Sequence, residues 1–284
     1  MNPIVIQLAN GNAFFIGIGM TVIAFALYLW LSSRISVILL TITWLVGISL
    51  FLLSAAPMSL WLYGLWFGLC ITARIAFNIR TSFKFKISIV GAFTIFSLLV
   101  CLAELPFHFA KTISVSKNQT IFVLGDSISA GIGKEQPWPD VLSDLSRLKV
   151  VNLARPGATI ETAFGQIDGI SSTNSLIILE IGGNDLLGHT DSRTFYTQLD
   201  RLLGKLKGEN NQVVMFELPL LPFWNSFGKA QRILAKKYGV ILIPKSYLTK
   251  VFGSNGDTVD GLHLSQKGHD ALANSVYGLL KISP

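Results

Sequence analysis

A chain of 284 residues that is 51% hydrophobic and only 14% charged is too apolar to be one ordinary soluble domain, so a membrane component is expected. The formal net charge of +7 does not argue for nucleic-acid binding, because the basic excess flanks the hydrophobic segments. Residues 1–117 hold seven Lys or Arg and a single acid, Glu104, whereas residues 118–284 hold 16 basic and 15 acidic residues.

Four stretches, 13–31, 35–56, 58–79 and 87–105, are long enough to cross the roughly 30 Å hydrocarbon core of a bilayer. The first lacks a basic leader and three more follow it, so the set reads as a permanent bundle rather than a cleaved signal. Arg74 either ends the third stretch or snorkels to the nearer interface, while Trp30, Trp61 and Trp66 suit interface or near-interface positions. No intramembrane acid pair suggests an ion path, and Glu104 reads as solvated at the outer end of the fourth stretch. Cys70 and Cys101 both lie in apolar segments, where they can neither staple a soluble domain nor build a metal cluster.

Topology follows from the basic residues of the short loops. Arg34 marks the first loop, the second has none, and the third holds Arg80, Lys84 and Lys86. Loops one and three are therefore expected inside, with both ends of the bundle outside and the following domain in the periplasm or at the cell surface. The expected organisation is an all-α bundle of four transmembrane helices over 1–106, a linker over 107–118 and a soluble domain over 119–284. Fully extended, the linker reaches at most about 40 Å.

In the soluble part, short β-rich runs (Ile121–Leu124, Val150–Leu153, Leu176–Ile181, Val213–Phe216, Val240–Ile243) alternate with helical patterns near Pro139–Arg147, Thr159–Ile167, Arg193–Leu206, Gly228–Tyr238 and Ser265–Leu280. Such alternation predicts a flavodoxin-like three-layer α/β domain with a five-stranded parallel sheet. Sheets of this kind carry their sites at the carboxyl ends of the strands.

The polar signals fall at those ends. After the first run comes Gly125-Asp126-Ser127-Ile128-Ser129-Ala130-Gly131, a tight turn that exposes the Ser127 hydroxyl. It is neither a phosphate-binding loop, since Glu135 follows Gly133-Lys134, nor the Gly-x-Ser-x-Gly elbow, since Ser129 stands where the second glycine would be. Gly157 follows the second run, Gly182-Gly183-Asn184-Asp185 the third, and Asp260-Gly261-Leu262-His263 stands near the C-terminus. Serine is a poor nucleophile at neutral pH, so an imidazole must take its proton and return it to the leaving alcohol. His263 fits that task, and the Asp260 carboxylate three residues earlier can orient its other ring nitrogen. Asn184 offers an uncharged amide to a developing oxyanion.

Taken in this order, the four blocks resemble the SGNH (GDSL) hydrolase family over about residues 119–281, and Trp138-Pro139 looks like its thioesterase and lysophospholipase branch. The resemblance implies that Ser127 is the nucleophile and that Asp260 orients His263. It also implies that Gly157 and Asn184 complete an oxyanion hole with the Ser127 amide, without metal or cofactor. It does not extend to the bundle. Asp126 and Asp185 read as turn and cap groups, His189 and His269 as solvated, His108 as interfacial, and Arg155 as a candidate for an anionic substrate group.

The run Leu218–Phe227 is unusually apolar for a loop, and Leu221, Phe223 and Trp224 are expected to contact an acyl chain or the bilayer. The expected partners are thus the lipid bilayer and an acyl ester, either a lipid such as a lysophospholipid or an acylated envelope polysaccharide. Deacetylation of such a glycan, or O-acyl transfer to it, is the alternative. No nucleic acid is expected, and the sequence names no protein partner.

Overall fold

The structure, a computed structural model, describes residues 2–188, 190–208 and 210–283, so His189 lies outside the described residues. Two compact units divide it: Gln7–Pro106 together with Leu220–Asn225, and the α/β domain.

Helix α1 (Pro3–Ala9) precedes α2 (Asn12–Tyr28), α3 (Arg34–Leu53), α4 (Leu60–Asn78) and α5 (Phe83–Glu104). The third and fourth of these, and α5 with its 3-10 extension to His108, are each long and apolar enough to cross a membrane. The first expected span is shorter than anticipated. Helix α2 has 17 residues and meets the same test only together with α1, from which it bends by 92°. The bend falls at Gly11, whose φ of 84° a side chain would disfavour. Helices α2 and α3 pack closely, and a Cβ on Gly47 would stand 2.8 Å from the Gly17 carbonyl oxygen.

Aromatic rings fill this unit. Phe51 stacks on Trp66 at 3.9 Å between centroids, and Phe25 meets Phe93 edge-on at 5.2 Å. Such pairs add roughly 0.5–1.5 kcal/mol beyond area burial. Trp66, expected at an interface, is instead wholly buried and donates its indole N–H to Ser97 Oγ at 3.0 Å. Trp30 and Trp61 are exposed, as interfacial residues would be. Arg74 lies over the Tyr28 and Trp44 rings and donates to Asn78 Oδ1 at 2.6 Å. Glu104, expected in solvent, is buried. Both corrections concern packing between elements, which hydropathy along one segment does not report.

In the α/β domain, strands β2 (Ile121–Gly125), β3 (Val150–Asn152), β4 (Leu176–Glu180), β5 (Gln212–Phe216) and β6 (Ile241–Ile243) form one parallel sheet in the order β3-β2-β4-β5-β6. The expected five-stranded parallel sheet is therefore present, each strand within a residue of its apolar run. Every residue of β2 and β4 is buried, as covering on both faces requires. Ile121, Val123, Ile178 and Val214 point into a core built with helices α7 (Trp138–Ser146), α12 (Ser246–Gly253) and α13 (Gln266–Tyr277). On the other side lie α8 (Ile160–Ile167) and α10 (Ser192–Lys207), which pack on each other and reach β2 and β5. The remaining helices are α6 (Ser127–Ala130), α9 (Gly183–Leu187) and α11 (Asn225–Tyr238).

Two differences from expectation have a common cause. The segment expected as a linker contains β1 (Ile113–Ser116), and the expected last helix stops at Tyr277, after which Leu280–Ser283 form β7. These strands pair in parallel, Ile113 with Leu280 through Ser116 with Ser283. Each supplies four residues that alternate in burial, too few to stand out without the partner.

Candidate active site

Three strand ends and one hairpin supply the polar residues. At the end of β2 the chain turns directly into α6, and Asp126 caps it by accepting the Ile128 N–H on Oδ1 at 3.0 Å. Ser127 is the first residue of that helix and is half-buried. A Cβ on Gly125 would lie 2.7 Å from the Glu180 carbonyl oxygen and 2.8 Å from Ser129 Oγ, so the turn admits only glycine there. Gln166 clasps the same glycine, its amide accepting Gly125 N–H at 3.0 Å and donating to the Gly125 carbonyl at 2.9 Å.

Gly157 sits in the turn after β3, with φ 75°. The loop after β4 is stitched to that turn: Asn184 Nδ2 donates to the Ala158 carbonyl at 3.0 Å and to Asp126 Oδ2 at 3.3 Å. The structure thus links Asn184 both to the turn that carries Gly157 and to the residue preceding Ser127.

Asp260 and His263 occupy a tight turn closed by the Thr258–Leu264 bridge and the Val259 N–H to His263 carbonyl bond at 2.9 Å. Gly261 adopts φ 91° within it. Asp260 Oδ1 accepts the backbone N–H groups of Leu262 and His263, at 3.0 and 2.8 Å, and Oδ2 meets His263 Nδ1 at 2.6 Å. The imidazole and these backbone bonds hold the Asp260 carboxyl far below the usual carboxylate range. A positive charge on His263 would oppose the effect of burial on the Asp126 carboxyl.

Under the turn lies an acidic cluster. Burial pushes Asp126 up to about 6, against the opposing pull of the Ile128 amide and His263. Burial, and then the neighbouring Asp126, raise Glu180 well above the usual range. Asp185 is raised by burial, while the Ile160 amide that it accepts at 3.0 Å counteracts the shift. Asp126 and Asp185 are the turn and cap groups that their positions suggested. His269 is different: expected in solvent, it is buried and accepts the Trp138 backbone N–H on Nδ1 at 3.2 Å, and burial lowers its proton affinity.

Glu180, Ser129, Trp138 and Gln166 surround the Ser127 turn without having been singled out as a group. The one available signal was an acid closing the wholly apolar run Leu176–Leu179, since a strand buried on both faces carries a carboxyl only where something satisfies it. Arg155 is exposed, beside the Gly157 turn. Among the described residues no group of His, Cys, Asp and Glu could hold a metal ion.

Leu221, Phe223 and Trp224 fall in Leu220–Asn225, which belongs to the compact unit of the helices rather than to the domain that carries Ser127. Asn225 Nδ2 donates there to the Ser54 carbonyl at 3.2 Å and to the Tyr63 hydroxyl at 3.4 Å. Leu221 is 54% and Phe223 82% exposed, and Phe223 takes a left-handed φ of 73°.

Residues 123–271, more than half of the chain, match the model of the GDSL-like Lipase/Acylhydrolase family. Esterase TesA of Pseudomonas aeruginosa is 27% identical over 180 residues, covering 57% of this chain and 88% of that protein. An arylesterase of Vibrio mimicus is 25% identical over 140 residues, covering 46% and 68%. A crystal structure of TesA superposes with a TM-score of 0.51 at 25% identity, over 57% of this chain and 97% of that one. The psychrotrophic esterase EstA from Pseudoalteromonas sp., inhibited by monoethylphosphonate, shares the fold with a TM-score of 0.50 at 21% identity, over 56% and 95%.

Proposed function

Because this chain belongs to the GDSL-like lipase/acylhydrolase family, we propose that it is a membrane-bound ester hydrolase working through an acyl-enzyme on Ser127. The observation that carries this reading is the Asp260–His263 hairpin, in which one carboxylate fixes both the backbone and the ring of the histidine. Asp260 accepts Nδ1–H, which leaves Nε2 unprotonated to receive the Ser127 proton. Ser127 Oγ then bonds to the ester carbonyl carbon, and the carbonyl electron pair moves onto oxygen. The Ser127 and Gly157 N–H groups meet that oxyanion together with one Asn184 Nδ2–H, which exchanges its 3.3 Å bond to Asp126 for it, each such donor being worth about 10²–10³ in rate. Collapse expels the alcohol, which takes its proton from His263. Water, activated by the same imidazole, cleaves the acyl-enzyme and releases the acid.

The substrate in this proposal is an acyl ester of a lipid or lysophospholipid at the outer face of the membrane. Its support is the set of helices long and apolar enough to span a bilayer and, within the helical unit, the exposed apolar side chains of Leu221 and Phe223, which suit contact with lipid. The basic residues of the short loops support an external domain, in the periplasm or at the cell surface.

Turnover of p-nitrophenyl esters from acetyl to palmitoyl, with Ser127→Ala as control, tests both parts. Ser127→Ala should abolish turnover. A maximum at about eight carbons or more is expected, since each buried methylene adds about 0.8 kcal/mol. A sharp acetyl preference would replace the lipid with an envelope glycan, and no Ser127-dependent turnover at any length would overturn the hydrolase.

A further inference from the structure

Glu180 closes β4, is 3% exposed, and takes no part in the reaction proposed above. Its Oε2 accepts the Ser129 hydroxyl at 2.8 Å, two residues after Ser127, and the backbone N–H of Asp126, one residue before Ser127, lies near enough to favour the charged carboxylate. Ser129 is held in turn from two other elements. Its hydroxyl accepts the Trp138 indole N–H at 3.0 Å, and its carbonyl accepts Asn152 Nδ2–H at 2.8 Å. Trp138 is wholly buried, its ring 6.0 Å from that of Phe216, so this side of the support is rigid. Among the described residues no Lys, Arg or His pairs with Glu180, and its charged neighbour is the Asp126 carboxyl. A buried carboxyl in such surroundings keeps its proton and serves as a neutral hydrogen-bonding group.

We propose that Glu180 is a positioning residue for Ser127, whose carboxyl fixes the turn so that the hydroxyl and the backbone N–H of Ser127 keep one direction. The inference rests on Ser127 being the nucleophile. Geometry of this kind acts on rate more than on binding, since a misplacement of about 1 Å costs on the order of 10²-fold.

The test uses the full-length chain in detergent micelles. Kinetics with a p-nitrophenyl ester are combined with amide hydrogen exchange of the peptide spanning the Ser127 turn, for Glu180→Ala, Glu180→Gln and Ser129→Ala. Glu180→Ala should lower kcat by about tenfold or more with KM within about twofold, and should speed exchange of the turn. Glu180→Gln keeps one uncharged acceptor oxygen for the Ser129 hydroxyl and should keep kcat within about threefold of the parent, with exchange unchanged. A purely bulk role for Glu180 would not produce this rescue. If Glu180→Ala fails to fold, Ser129→Ala, which leaves Glu180 in place, should still lower kcat at constant KM. The inference is overturned if Glu180→Ala keeps its kcat, if the loss lies in KM alone, or if Gln is as damaging as Ala. A parent without Ser127-dependent turnover would defeat the hydrolase reading instead. The exchange contrast between Ala and Gln would then still report whether Glu180 holds the turn.

Discussion

Asp185 Oδ2 accepts the backbone N–H of Ile160 at 3.0 Å, joining α9, which follows β4, to the first turn of α8 across 25 residues of sequence. Beside it, Asn184 donates to the Ala158 carbonyl, so the two loops offered as oxyanion donors are tied together twice. Asp185→Ala leaves the Ile160 amide without its buried acceptor, and should destabilise the domain by about 1–3 kcal/mol in chemical denaturation. Its kcat should fall with little change in KM. Asp185→Asn, which keeps an acceptor oxygen, should recover most of both losses.

Asp260 stays ionised far into acid, because the His263 ring and two backbone amides all favour its charged form. The acid limb of the pH–rate profile is therefore set by another group. Asp260→Asn keeps the shape of the side chain but removes the charge that stabilises the imidazolium, and kcat should drop by roughly 10²–10⁴. Steady-state kinetics of this variant from pH 5 to 9 would contradict the role of Asp260 if the profile were merely displaced at full amplitude.

Asp126 titrates in the opposite sense. Burial places its folded-state value near 6, against 3.8 for the free group, so folding favours the protonated acid. That contribution is complete below about 3.8 and is lost as pH rises through about 6. Two pH units at about 1.4 kcal/mol each bound the effect at roughly 3 kcal/mol. Asp126→Asn removes the titration, so its stability between pH 4 and 7 should be flatter than that of the parent. Parallel denaturation curves across that window would show that Asp126 does not carry the proton.

A Cβ at Gly268 in α13 would run into the Asp257 carbonyl, just before the hairpin that holds Asp260 and His263. That carbonyl already accepts the Ser265 N–H at 3.0 Å, and Ser265 caps α13. Gly268→Ala therefore cannot be absorbed by one side chain turning aside. It should lower the thermal midpoint by several degrees and reduce kcat, because the hairpin must shift. Unchanged values of both would mean that the segment yields at no cost.

Legibility followed the physics of each element. The central strands were readable because burial on both faces turns them into unbroken apolar runs such as Leu176-Ile177-Ile178-Leu179. Ser127, Gly157 and Asn184 were readable as candidates because short motifs place them just after strands, and Asp260 and His263 because a carboxylate stands three residues before a histidine. Glu180 was not, and Trp138 only as part of a motif, since what matters is which hydroxyl they meet, and Ser129 lies 51 residues from one and nine from the other. The same holds for Trp66, whose 31-residue separation from Ser97 no local pattern reports. The bend between α1 and α2 has a local signal in Asn10-Gly11-Asn12, but α1 before it is only seven residues long, too short to register as a span.

The pairing of β1 with β7 sets the order in which the domain can be finished. During synthesis Ile113–Ser116 emerge first of the domain's strands, yet the contact between Val115 and Ser283 spans 168 residues. At about 5–20 residues per second, the edge of β1 waits on the order of ten seconds or more for its partner. Throughout that interval the nascent domain carries an unpaired strand, a period in which a holding chaperone would protect it.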